Sequence, residues 1–159
     1  MNNIIIKFNG VIKRDGYFYW RILCKYILEG KSSYSFHGIT LDCSDAENPE
    51  KVISFANKYY QEIERQAAES IWKDMDNDYD YYGNKPQKAA LDSFFKKYPK
   101  YKDIIPILQL KKGFIDEDDC LSIYFNIKDD PTGSKRMLNL YIKFSSSGNM
   151  KIIDIDFDR

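Results

Sequence analysis

The sequence predicts an α+β fold in which antiparallel β-meanders at the amino- and carboxyl-terminal ends pack on a long central helix and a second, shorter helix. Three observations carry that expectation. Strand-forming residues with a period near two fill 3–42 and return over 107–157. Between them, over 44–98, apolar residues recur at spacings of three and four. Turn dipeptides break up the first stretch, and no repeat, low-complexity tract or linker divides the chain, so residues 1–159 are read as one domain.

The first stretch is rich in β-branched and aromatic residues and is punctuated by Asn9-Gly10, Asp15-Gly16 and Glu29-Gly30. The clearest strand runs from Tyr17 to Leu28. Phe18, Trp20, Ile22, Cys24, Tyr26 and Leu28 fall on one face and Tyr17, Tyr19, Arg21 and Lys25 on the other. Both Asn9-Gly10 and Asp15-Gly16 suit the tight turns that need positive φ, and Asp15-Gly16 is the favoured closure, with Gly10 at a bulge. A third segment, Tyr34 to Leu41, alternates less cleanly and reads as an edge strand or one broken near Gly38.

The long helix has two overlapping start signals. Ser44 with Glu47 makes a capping box, and Asn48 with Pro49 places a proline at the first helical position. Val52, Ala56, Tyr59, Ile63, Ala67 and Ile71 line one apolar stripe, while Lys58-Glu62 and Arg65-Glu69 are spaced to pair on the opposite side. Asn84 and Pro86 restart a shorter helix carrying Leu91, Phe94, Phe95 and Tyr98, which Pro99 stops; Lys96 and Lys97 complement its carboxyl end. From Ile107 the period returns to two. Segment 107–115 is followed by Leu121, Ile123, Phe125 and Ile127, then by Leu138, Leu140, Ile142 and Phe144, each alternating with polar residues. After a turn over Ser145 to Asn149, Ile153, Ile155 and Phe157 form the inward row of a last strand, with Asp154 and Asp156 outward.

Composition excludes several classes. Lysine plus arginine equals aspartate plus glutamate at 24 each, so no global basic field exists to hold nucleic-acid phosphates. The longest apolar run is too short to span a bilayer, and the segment Met1 to Lys7 has neither the basic start nor the apolar core of a signal peptide, which makes the cytoplasm the expected compartment. Cys24, Cys43 and Cys120 are an odd, scattered set, read as buried thiols rather than disulfides or zinc ligands. Thirteen tyrosines exceed the need of one core, so some belong on a surface suited to a protein interface.

Asp74, Asp76, Asp78 and Asp80 imitate the start of an EF-hand loop, but position 6 is Tyr79 instead of glycine and position 12 is Lys85 instead of glutamate. No metal and no cofactor is expected. Four carboxylates at a helix carboxyl end oppose its dipole, which argues for a role in interaction. His37, the only histidine, has no nucleophile-elbow pattern around it and reads as a strand histidine. The carboxylate pairs Glu117 with Asp118 and Asp119, Asp129 with Asp130, and Asp154 with Asp156 read as turn or outer-face residues, and phosphate-binding glycine loops are absent.

A central helix ending in an Asp/Tyr-rich Tyr-Tyr-Gly, an intermediate segment with a proline, and a strand leading to Asp129-Asp130-Pro131-Thr132-Gly133 and a closing hairpin occur here in that order. Over residues 50–157 this resembles small uncharacterised bacterial α+β domains found among immunity proteins of polymorphic and contact-dependent toxin systems. Some of these carry a Trp-Asp-(Glu/Pro)-Glu-His-Gly segment after the strand. Asp130, Pro131 and Gly133 match part of it, whereas its tryptophan and histidine have no counterpart. The resemblance implies a non-catalytic protein that binds and blocks a cognate toxin. The contact surface expected from the residues is Asp74, Asp76, Asp78, Tyr79, Asp80, Tyr81 and Tyr82, with Asp116, Glu117, Asp118 and Asp119 as a second patch. Against a basic nuclease groove such clusters would speed encounter and imitate phosphate. The alternatives are a small-ligand domain or carboxylate-dependent enzyme with a pocket between sheet and helices, and a subunit that self-associates through an open sheet edge.

Overall fold

A computed structural model describes residues 33–82, 86–133 and 135–158. The turns at Asn9-Gly10, Asp15-Gly16 and Glu29-Gly30, the strand Tyr17 to Leu28 and Cys24 lie outside the described residues. Those described form an α+β structure whose six strands make one mixed sheet in the order β1-β2-β3-β4-β5-β6. The strands are β1 (Ser33–Phe36), β2 (Ile39–Asp42), β3 (Leu108–Ile115), β4 (Leu121–Ile127), β5 (Met137–Phe144) and β6 (Met150–Asp158). The helices are α1 (Pro49–Lys58), α2 (Tyr60–Tyr82) and α3 (Pro86–Lys97), and a 3-10 helix spans Tyr101–Ile107.

The segment Tyr34 to Leu41, expected as one edge or interrupted strand, is a hairpin. His37 and Gly38 both take positive φ, 44° and 87°, and join β1 to β2 as a two-residue loop. Positive φ at both central positions gives a turn whose twist matches the flanking strands. His37 therefore sits in a turn rather than in a strand. β2 then pairs in parallel with β3, Leu41 opposite Gly113 and Asp42 opposite Phe114, which joins the hairpin to the antiparallel series β3 to β6.

Helix α1 begins at Pro49, so the second of the two start signals is the one used. Ser44 instead closes a turn after β2, its N–H and hydroxyl donating to Asp42 Oδ1 at 3.0 and 2.8 Å. The expected single helix is interrupted at Tyr59, which ends α1 with φ −101° and ψ 11°. The apolar stripe nevertheless continues across the break. Val52, Ala56, Ile63, Ala67 and Ile71 are buried, with Met75 extending the row, and Tyr59 is half-buried. They share one core with Ile115, Leu121, Ile123, Phe125, Leu138, Leu140 and Ile142, the rows of β3, β4 and β5 that alternate inward. On the solvent side Glu62 pairs with Arg65 at 2.5 Å rather than with Lys58, and Glu69 pairs with Arg65 and Lys73. Arg65's hydrogen bonds pull the Glu62 carboxyl down to about 2.

Strand β6 departs from its expected pattern. A bulge opposite the Tyr141/Ile142 step puts Asp154 against Tyr141 and Ile152 against Ile142, leaving Ile153 as the extra residue. Ile153 is therefore outside the inward row, and Ile153 and Ile155 are 46% and 44% exposed on the last strand of the sheet.

Candidate functional site

The Asp/Tyr run forms the last turns of α2, and helical geometry divides it. Residues three and four apart share a face, so Asp74 and Asp78 point one way while Asp76 and Asp80 point another. Asp74 and Asp78 turn inward onto Arg136, whose side chain is only 2% exposed. Its Nη1 lies 3.0 Å from Asp74 Oδ2 and its Nη2 donates to Asp78 Oδ2 at 2.7 Å. A third carboxylate, Asp130, stands 3.4 Å from Nε. The planar guanidinium fork suits this arrangement, presenting donors on several sides while remaining charged when buried.

The β4–β5 loop that delivers Asp130 and Arg136 folds on local chemistry. Asp130, Pro131, Thr132 and Gly133 occupy the four positions of a turn closed by Gly133 N–H to Asp130 O at 3.0 Å. Aspartate first, proline second and glycine fourth is the residue order such turns favour. Asp130 Oδ1 also accepts from the Thr132 N–H and hydroxyl at 2.9 and 2.6 Å, which fixes the carboxylate that faces Arg136. An open cleft of about 520 Å³ lies beside this cluster, with Asn126, Lys128, Asp129, Asp130, Lys135 and Arg136 in its wall.

The rest of the run is divided between contacts and solvent. Tyr79 donates to Asp92 on α3 at 2.7 Å and carries Lys88 over its ring, and the Asp92 bond raises its phenol above the usual range. Tyr82 is half-buried against the core and meets Tyr81 edge to face. Asp76 and Asp80 are exposed, and Tyr81 is 76% exposed. The outward part of the expected surface is thus Asp76, Asp80 and Tyr81.

The second acidic stretch is also divided. Asp116 Oδ1 accepts from the N–H groups of Asp118 and Cys120 at 3.0 and 2.9 Å, and its Oδ2 accepts from the Tyr141 hydroxyl at 2.5 Å. That carboxylate holds the Tyr141 phenol far above its ordinary value. Asp119, at φ 56°, reaches across to the start of α1, accepting from the N–H groups of Glu47 and Asn48 at 2.9 and 2.8 Å and from Asn48 Nδ2 at 3.1 Å. Only Glu117 and Asp118 stay exposed. This turn precedes β4 and the Asp130–Arg136 loop follows it, so the two acidic groups lie at opposite ends of a seven-residue strand, about 20 Å apart.

His37 stacks on Tyr60 with ring centroids 3.5 Å apart, and its Nε2 lies 2.9 Å from Asn57 Oδ1. Cys43 and Cys120 are buried, and burial pushes the Cys43 thiol up to about 11. Among the described residues, no three His, Cys, Asp or Glu side chains are placed to hold a metal ion, and no helix is long and apolar enough to cross a membrane. Arg136 escaped sequence reasoning. The one signal for it was an arginine at a strand entry in a chain whose usual cation is lysine.

No family model, curated protein or solved structure matches the chain.

Proposed function

We propose that this chain is a cytoplasmic immunity-type protein that binds a cognate bacterial toxin and blocks it, using the solvent face of the α2 carboxyl end. One observation carries the reading: Arg136 fixes the inner side of an acidic helix end whose outer side carries Asp76, Asp80 and Tyr81. A helix end anchored from behind loses little backbone freedom on docking, which favours affinity. Its negative charge speeds encounter with a basic groove such as a nuclease's substrate channel, and the exposed tyrosine supplies a large amphipathic contact. Glu117 and Asp118, at the far end of β4, form a separate exposed pair and contribute less to the same contact.

The test begins with affinity isolation of the full chain from its native host, followed by an assay of the captured protein's activity. The expected result is a toxic activity that the purified chain suppresses in a one-to-one complex. The D76A/D80A/Y81A triple variant should fold normally and associate roughly tenfold more slowly at low salt. A captured protein whose activity is indifferent to the chain would sink the function. Unchanged association by the triple variant would sink the surface.

A further inference from the structure

The far edge of the sheet carries a second, chemically different surface. β6 is nine residues long and, among the described residues, ends the strand order, with β5 on one side. Residues 153–156 are all exposed, so the middle of its other side faces solvent. Such an edge offers a row of backbone donors and acceptors to any extended chain. Here two of those donors are already engaged by neighbouring carboxylates. The Ile155 N–H donates to Asp154 Oδ1 at 2.9 Å and the Phe157 N–H to Asp156 Oδ1 at 2.8 Å. These N–H groups are two residues apart and point the same way. A carboxylate reaches them from the open side, because β5 occupies the other.

We propose that the β6 edge takes an extended segment of a protein partner, as an added strand, in which lysine or arginine alternates with apolar residues. Charge and geometry select that occupant. Asp154, Asp156 and Asp158 share one face of β6, and Ile155 and Phe157 share the other. An alternating basic and apolar strand matches both faces at once. Its cations draw the Asp154 and Asp156 carboxylates off the N–H groups, which then donate to the incoming carbonyls. A second copy of this chain is disfavoured by the same row. Registers centred on 153–156 set aspartates opposite or diagonal to aspartates, and like charges so placed repel. The carboxylates thus cap the edge against self-pairing and open it to a basic strand. This surface lies on a different element from the helix end assigned to the toxin, and it stands whether or not that assignment does.

The test uses the full chain with an acetylated, amidated peptide of alternating lysine and valine, read by residue-resolved amide exchange and by titration calorimetry. A glutamate-valine peptide and a lysine-valine peptide N-methylated at every residue serve as controls. The expected result is exchange at Ile155 and Phe157 slowed at least about tenfold by the lysine-valine peptide alone. Its affinity should fall about tenfold in D154N/D156N, which keeps a side-chain acceptor at both positions but removes the charge. Unchanged exchange at these two amides would overturn the proposal. So would equal protection by the N-methylated peptide, or self-association of the chain alone that protects the same two amides.

Discussion

Arg136 shows how much one side chain can hold in place. It is buried against Asp74 and Asp78 from α2 and Asp130 from its own loop, so removing it takes a buried cation away from three carboxylates. Arg136→Ala is expected to cost about 3–5 kcal/mol in a denaturant titration, in the range for breaking a buried pair from one side. Arg136→Lys should recover only part of that, because a point charge cannot address three directions. Asp76→Ala, outward on the same helix end, should change stability by no more than about 0.5 kcal/mol. Equal losses at Asp76 and Arg136 would contradict the inward and outward division. Cys43 gives a pH test. Its folded thiol keeps its proton to about 11, against 9.0 unperturbed. Between those values the unfolded chain binds fewer protons, so stability falls as pH rises through that window. Tyr60, pushed up to about 12 by burial, adds the same sign from its unperturbed 10.0 upward. Cys43→Ala should flatten the decline between about 9 and 11 while leaving the higher part, measured as the denaturant midpoint against pH. Burial of the apolar stripe was legible because helical period acts locally. Arg136 was not, because its partner Asp78 is 58 positions away and only the fold brings them together.

At the scale of elements, the start of α1 shows what local cap rules miss. They offered Ser44 and Asn48, and Pro49 does open the helix, yet Asn48 makes no side-chain cap. The carboxylate serving that end is Asp119, 71 positions from Asn48, which gathers two backbone N–H groups and the Asn48 amide. Supplied by the β3–β4 turn, it pins the two residues that lead into the helix. Asp119→Ala should therefore cost about 1.5–3 kcal/mol, the loss of hydrogen bonds to a charged group. Glu117→Ala and Asp118→Ala, exposed in the same turn, should cost far less. Thermal unfolding of the three variants checks this, and equal shifts would show that Asp119 holds nothing in place. The bulge in β6 is another element beyond the reach of sequence. Ile153, Ile155 and Phe157 sit in perfect alternation, but the extra residue at 153 changes the phase of what precedes it. The His37-Gly38 turn left only a trace, an irregularity near Gly38, because its two positive φ values appear in the sequence as one glycine.

For the whole molecule, the decisive feature is the seam at which the β1–β2 hairpin joins the larger antiparallel series. Sequence periodicity reads strands one at a time, and nothing in the alternation of 33–42 or 108–115 announces that β2 and β3 run side by side in parallel. Their register rests on two residue pairs, Leu41 with Gly113 and Asp42 with Phe114. Gly113 is what allows the close approach. A Cβ built there would lie 2.7 Å from Leu41 Cδ2, 2.9 Å from the Ser122 carbonyl oxygen and 3.0 Å from Ile123 Cγ2. Leu41 can turn aside only by disturbing a fully buried site, and the Ser122 carbonyl belongs to the backbone of β4 and has little room to yield. Gly113→Ala should therefore destabilise by about 1–3 kcal/mol, the usual cost of overpacking, although alanine suits a strand better than glycine. The loss should also be uneven. β4 and β5 share five paired positions away from the seam, whereas among the described residues the hairpin's strand link to the rest of the sheet is the two-residue contact itself. Amide exchange in Gly113→Ala is expected to quicken most over residues 33–42 and least at Leu138 to Leu140 of β5, which pairs with β4 and β6 away from the added methyl, as local opening of the weaker unit requires. A uniform acceleration across both would mean that hairpin and antiparallel series unfold as one body, and that the seam is stronger than its two pairs imply.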